Sequence, residues 1–189
     1  PVVATALARW ITGLKKRSFT YRFIFIPETI GAIVYLSQHL NHLKEKVVAG
    51  FNITCVGDNR AYSFMPTPWG NSLSDRVAEL AFRLSDIEYV KYSVLDRGSD
   101  ERQYCAPGSD LPIASITRSK YGEYAQYHTS GDDLDFVDSK SLGQSLALYK
   151  KIITSLEQNQ VFRACTVGEP NLGKSGLYPT LSTRASAST

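Results

Sequence analysis

Runs of β-branched and aromatic residues alternate along this chain with stretches whose apolar residues recur every three or four positions, and that alternation leaves few folds open. Residues 20–26 read as a buried strand stopped by Pro27, and further strands are expected at 47–56, 62–65, 89–95 and 111–116. Between them the spacing predicts helices over residues 1 to about 15, 29–41, 72–85 and 139–158. Strands and helices in this order give a three-layer α/β domain with a largely parallel sheet. In such sheets ligands collect at the carboxyl ends of the strands.

Composition narrows the function classes. The chain has 189 residues, 43% apolar and 21% charged, enough for one substantial core. A net charge of +3, with no basic run beyond Lys15-Lys16-Arg17, gives no footprint for nucleic acid. Cys55, Cys105 and Cys165 are far apart and form no CxxC pair, which argues against a zinc ribbon or a disulfide framework and fits a reducing compartment. No apolar run approaches the ~20 residues that span a bilayer, and the first segment lacks the layout of a secretory signal, so a soluble, cytoplasmic protein is expected. The chain opens at Pro1 already inside an amphipathic helix, as expected of a piece of a longer protein. From Thr166 the composition turns to Gly, Pro and Ser; a domain over 1–181 and a disordered tail over 182–189 are expected.

The polar residues that follow the expected strands are the functional candidates. Glu28 follows the first, Asp58 the second, and the charged loop 96–110, with Asp100, Glu101, Arg102 and Tyr104, follows a later one. His128 comes after the last, with Asp132 and Asp133 where a helix N-terminus would favour a carboxylate. Acids and an imidazole on one rim suit a hydrolytic zinc site, with Glu28 taking the proton of a water and Asp58 and His128 as ligands. Each residue also has a plainer reading: a helix cap for Glu28, a turn residue for Asp58, salt bridges for Asp100, Glu101 and Arg102. His39 and His42, three apart on a helix, read as partly exposed helix-end residues, since no carboxylate or thiolate accompanies them at ligand spacing.

Three stretches carry a family resemblance. Phe25-Ile26-Pro27-Glu28-Thr29-Ile30-Gly31, then Ser99-Asp100-Glu101-Arg102 with Pro107-Gly108 and Leu111-Pro112, then His128-Thr129-x-x-Asp132 resemble, in order, motifs of the zinc exopeptidases that include bacterial leucyl-type aminopeptidases and glutaminyl cyclases. The similarity is closer to a bacterial aminopeptidase-like subgroup that also carries a segment like Gly168 to Pro179 and often continues into a winged-helix domain.

The resemblance implies a three-layer α/β/α zinc-exopeptidase-like (phosphorylase/hydrolase-like) domain with a mixed, mostly parallel sheet. It implies a metallopeptidase, an aminopeptidase-like hydrolase of peptide or small amide substrates, with Glu28 as general base, Asp58 and His128 as ligands, and one or two zinc ions. Asp100, Glu101, Arg102, Tyr104 and Asp132 are then expected to bind substrate or support the site. Thr29 stands where two-zinc members have a ligand carboxylate. A first histidine and a bridging aspartate of the family precede the helix with which this chain begins, so metal is expected to bind weakly or not at all to these residues alone. The other expectation is a catalytically inactive binding or regulatory module of the same fold, recognising a small amine or sugar-derived ligand. No membrane partner is expected, and a homo-oligomer is left open.

Overall fold

Helix α1 (Val2–Thr12) turns Val3, Leu7 and Ile11 inward, one residue per helical turn. In this computed structural model, which describes residues 1–177, α2 (Ile30–Lys46) follows, and Lys44 and Lys46 in its last turn suit the negative end of the helix dipole. Strands β1 (Gly50–Asn52) and β2 (Ser63–Met65) precede α3 (Leu73–Leu84). That helix starts at a capping box: Ser72 accepts from the Asp75 N–H, while the buried Asp75 carboxylate accepts from Ser72 and from the backbone and hydroxyl of Thr67. Then come β3 (Val90–Lys91), the short helix α4 (Glu101–Tyr104), β4 (Ile113–Thr117) and the long α5 (Ser139–Gln158).

The strands lie in the order β1-β4-β2-β3, with β1 parallel to β4, β2 antiparallel to β4 and β2 parallel to β3. Successive side chains of a strand face opposite sides, and β4 shows what each side meets. Ala114 and Ile116 join the main core with residues of α1, α3 and α5. Ile113 packs with Leu36 and Leu43 of α2, and the Ser115 hydroxyl donates to Glu101 of α4. Helices therefore flank both faces of a mixed, mostly parallel sheet.

Four departures from the sequence expectations have physical causes. Residues 20–26, expected as a buried strand, join no ladder because no described strand lies against them, and none of them is fully buried. The strands expected at 47–56 and 89–95 shrink to Gly50–Asn52 and Val90–Lys91: the first gives way to a turn through Cys55, whose φ is 46°, and the second to a 3-10 turn at Val94–Asp96 capped by Ser93. The polar loop 96–110 contains α4, whose Glu101 is buried. The last long helix is capped by Asp138, which accepts from the Ser141 N–H and hydroxyl, and not by Asp132 or Asp133.

Residues 1–159 form one compact unit and the chain from Gln160 another. In the second, the described part holds a single 3-10 turn at Leu172–Ser175. The tail expected at 182–189 lies outside the described residues. Among the described residues no helix is long and apolar enough to cross a membrane.

Phe82 on α3 is fully buried, stacks on Tyr89 with ring centroids 4.2 Å apart and touches Tyr62 and Phe64 edgewise or tilted. Truncating it leaves a cavity that the surrounding rings cannot fill. Phe82→Ala should lower stability by about 3–5 kcal/mol, read as an earlier midpoint with unchanged slope in urea unfolding.

Candidate functional site

Two pairs of neighbouring residues, far apart in sequence, are joined crosswise. The Ser99 hydroxyl donates to Glu28 Oε1 at 2.5 Å, and the Thr29 N–H donates to Asp100 Oδ1 at 2.7 Å. Thr29 has φ 60° and ψ −67°, and the Ile30 N–H reaches back to the Glu28 carbonyl at 2.7 Å, so Thr29 is the middle of a γ-turn with positive φ. For a β-branched residue this conformation is strained and persists only when its surroundings hold it. Gly31 lets the turn close, since a Cβ there would come within 2.7 Å of the Ile26 side chain. Burial raises the pKa of Asp100, the Thr29 N–H opposes that, and the charges of Glu28 and Glu101 raise it further; the net shift is upward.

Beneath this pair lies Glu101, 3% exposed. Its Oε1 accepts from the N–H groups of Gly98 and Ser99 and from the Tyr121 hydroxyl; its Oε2 accepts from the Asn52 amide and the Ser115 hydroxyl. Glu101 is thus a support under the loop. Arg102 points to solvent, and Tyr104 is half-buried against the α2 cluster, where burial and then the nearby Asp100 push its phenol up to about 12.

The second half of the site surrounds Asp58, 2% exposed. Its carboxylate accepts from the Ser119 N–H and hydroxyl and from the Arg60 N–H, while its carbonyl accepts from Arg118 Nε at 2.6 Å. The Arg60 guanidinium lies over the rings of Phe136 and Tyr124, which are themselves stacked 5.0 Å apart. Tyr124 donates to the Cys55 thiol at 3.5 Å, and burial, that bond and the charges of Cys55, Asp132 and Asp58 all raise its pKa. His128 is exposed, has φ 57° and stacks on Tyr127 with ring centroids 3.9 Å apart. The Tyr127 phenol is raised by burial and then by the neighbouring Cys55 and Glu28.

The structure thus joins Glu28 to the Ser99–Asp100 pair directly, while His128 is stacked on Tyr127. It does not gather the expected ligands: among the described residues no three His, Cys, Asp or Glu side chains are grouped to hold a metal ion, and Asp58 is turned into the protein toward Ser119 and Arg60. These residues by themselves do not fit a zinc centre. Ser99, Cys55, Tyr121 and Tyr127 join the site without having been singled out by the sequence, and Thr29, noted there as standing in place of a ligand carboxylate, contributes its backbone N–H to Asp100. Only Ser99 had a signal, standing first in the Ser-Asp-Glu-Arg stretch.

A family model described as "Domain of unknown function (DUF4910)" matches residues 1–159. A curated relative from Clostridium acetobutylicum, the "Putative polysaccharide biosynthesis protein with aminopeptidase-like domain", is 37% identical over 175 residues, covering 92% of this chain and 40% of that protein. A crystal structure of a "putative peptidase" from Clostridium acetobutylicum superposes with a TM-score of 0.81 at 35% identity over 91% of this chain and 40% of that one. The chain spans about two fifths of the length of the relative it matches.

The Glu101 support has a pH signature. Desolvation pushes its pKa up, but the bonds from Tyr121, Ser99 and Asn52 more than offset this, and the net shift is downward. A carboxylate with a folded pKa below its unfolded value stabilises fully above the unfolded value and loses that contribution as pH falls through the folded one. Glu101→Gln should cost roughly 2–4 kcal/mol near neutral pH, and the gap to wild type should narrow on acidification in urea unfolding curves. A gap that stays constant between about pH 7 and about pH 3 would rule out the charged network.

Proposed function

Since the chain belongs to the DUF4910 family, we propose that it forms part of the catalytic domain of an aminopeptidase-like hydrolase acting on peptide or small amide bonds, with Glu28 as the proton acceptor. The observation that carries this reading is the crosswise junction of Glu28 and Thr29 with Ser99 and Asp100. A hydroxyl held to one oxygen of a carboxylate fixes its rotamer and leaves the other oxygen with no described partner, as a general base needs. In hydrolysis the Glu28 carboxylate takes a proton from the attacking water and returns it to the departing amine, so it ends the cycle ionised as it began. Asp100, held by the Thr29 N–H, keeps the turn that carries Glu28 in place.

The relatives' names point the same way: one is named for an aminopeptidase-like domain and the other as a "putative peptidase". The remaining groups of an active centre belong, on this reading, to parts of the polypeptide beyond the two fifths that these residues represent. A cytoplasmic location suits the free thiols of Cys55 and Cys105.

A second reading treats the same residues as a binding site for a small amine or sugar-derived ligand, without turnover. The stacked Tyr127–His128 and Tyr124–Phe136 rings favour it, because such faces take C–H groups or cations. Glu28→Gln, made in the protein at the full length of its relatives, separates the two. With leucine p-nitroanilide as substrate, the hydrolase should lose about 10²–10⁴-fold in kcat while its bound metal, measured by elemental analysis, stays constant. Wild-type protein that retains metal but turns over neither anilides nor dipeptides would overturn the hydrolase reading.

A further inference from the structure

Asp58 is the acid that the family resemblance offers as a metal ligand, and its surroundings give it a different task. The residue is 2% exposed and both carboxylate oxygens are engaged. Oδ2 accepts from the Ser119 N–H at 2.9 Å, while Oδ1 accepts from the Ser119 hydroxyl at 2.7 Å and from the Arg60 N–H at 3.1 Å, with Arg60 Nε 3.6 Å away. Arg118 Nε lies on the carbonyl of the same residue at 2.6 Å. A divalent cation brought to this carboxylate would have to approach beside two guanidinium groups, whose charge repels it.

Both side-chain contacts of Asp58 lead to one stretch of chain. Residues 118–138 join β4 to α5 and contain no helix or strand. Ser119 stands at their start, and Arg60 lies over the rings of Tyr124 and Phe136, which flank His128 in sequence. The turn after β1 also takes the Arg118 and Asp138 N–H groups on the carbonyls of Cys55 and Gly57, and the Tyr124 hydroxyl on the Cys55 thiol. Between Gln126 and Asp135, by contrast, every described hydrogen bond stays within the segment itself. The place of His128 is therefore set from the ends of the segment, and the ends are fastened to residues 55–60.

We propose that Asp58 is the positioning residue for His128 and takes no part in holding a metal. Through Ser119 it fixes where the segment leaves β4, and through Arg60 it fixes the two rings on either side of the imidazole. A carboxylate that served only its own turn would need the Arg60 N–H and nothing more. Two bonds to a residue 61 positions further along the chain go beyond that. The inference stands on these contacts alone and holds for a hydrolase and for a binding module equally.

Asp58→Asn, made in the protein at the full length of its relatives and studied first in chelator and then with added zinc, tests this without any assay of activity. The amide replaces one acceptor oxygen by a donor that faces the Ser119 and Arg60 donors. In chelator, the protected amides of residues 118–138 should exchange about 10–100-fold faster than in wild type, read by mass spectrometry, while those of β4 keep their rates. The ring resonances of His128, identified by their loss in His128→Gln, should move toward those of an exposed histidine as its stack on Tyr127 loosens. Exchange that is unchanged in chelator, with a difference that opens only when zinc is added, would make Asp58 a ligand and overturn the proposal. So would faster exchange spread equally over β4, which is a general loss of stability, or His128 resonances that do not move. If Asp58→Asn does not fold, Ser119→Ala removes part of the same tie from the other side and should give the same pattern at smaller size.

Discussion

A buried carboxylate with five donors around it is the point on which the rest of the site depends. Glu101 sits on a helix of only four residues, too short to hold itself together by helical hydrogen bonds. Its position is set from outside: Asn52 from the end of β1, Ser115 from the middle of β4, Tyr121 from the loop after β4, and the N–H groups of Gly98 and Ser99 from its own turn. Removing a charge from water costs several kcal/mol, and only a full set of charge-assisted bonds makes that tolerable. The consequence is geometric. With Glu101 fixed, Ser99 and Asp100 have no freedom to drift, and both reach the 28–29 turn.

That turn explains why Glu28 behaves as a site residue and not as part of a helix. Had residues 28 and 29 continued α2 toward its N-terminus, the Glu28 side chain would follow the helical rotation and its carbonyl would serve the helix. The γ-turn at Thr29 breaks this relation. A strained turn of order ~1–3 kcal/mol needs an external holder, and Asp100 is that holder. Cys55 repeats the pattern on the other side. There the carbonyls of Cys55, Val56, Gly57 and Asp58 accept in turn from the Arg118 N–H, the Ser145 hydroxyl, the Asp138 N–H and Arg118 Nε. Four consecutive carbonyls fixed by three residues of two separate segments leave the φ of 46° at Cys55 no means of relaxing. Arg118 does this while buried, with no carboxylate in salt-bridge range among the described residues; its charge rests on the Tyr62 ring, 3.9 Å away, and one of its terminal nitrogens has no partner among the described residues.

The sequence could reveal the helices and the order of layers because burial acts through spacing. Val3, Leu7 and Ile11, or Leu148, Ile152 and Leu156, stand out as one face from their intervals along the chain. It could also bring Glu28 and the 99–101 acids to one edge, since both follow strand-like runs. What it could not reveal is which acid does what. Asp58, Glu101 and Asp100 look alike as letters, yet one is tied to a serine and an arginine, one is buried among five donors, and one holds a strained N–H. Those roles arise from long-range contacts such as Asp58 with Ser119 and Glu101 with Asn52, for which no local pattern exists. The strand at 20–26 shows the opposite limit: its apolar run is legible, but a ladder needs a partner, and composition says nothing of one.

The two halves of the site are held by different networks, and this bears on what the cleft can do. One half, around Glu28, offers a carboxylate with an orienting hydroxyl. The other, around Asp58, offers aromatic faces, a thiol and a guanidinium, with its own carboxylate turned inward. On the proposed reading an amide carbonyl beside Glu28 finds a proton acceptor, but among the described residues no group of metal-ligating side chains that would set a cation against the oxyanion formed on attack. Since oxyanion stabilisation is usually the largest single contribution to acyl-transfer catalysis, the hydrolase proposed above needs a group that supplies it from beyond the described residues.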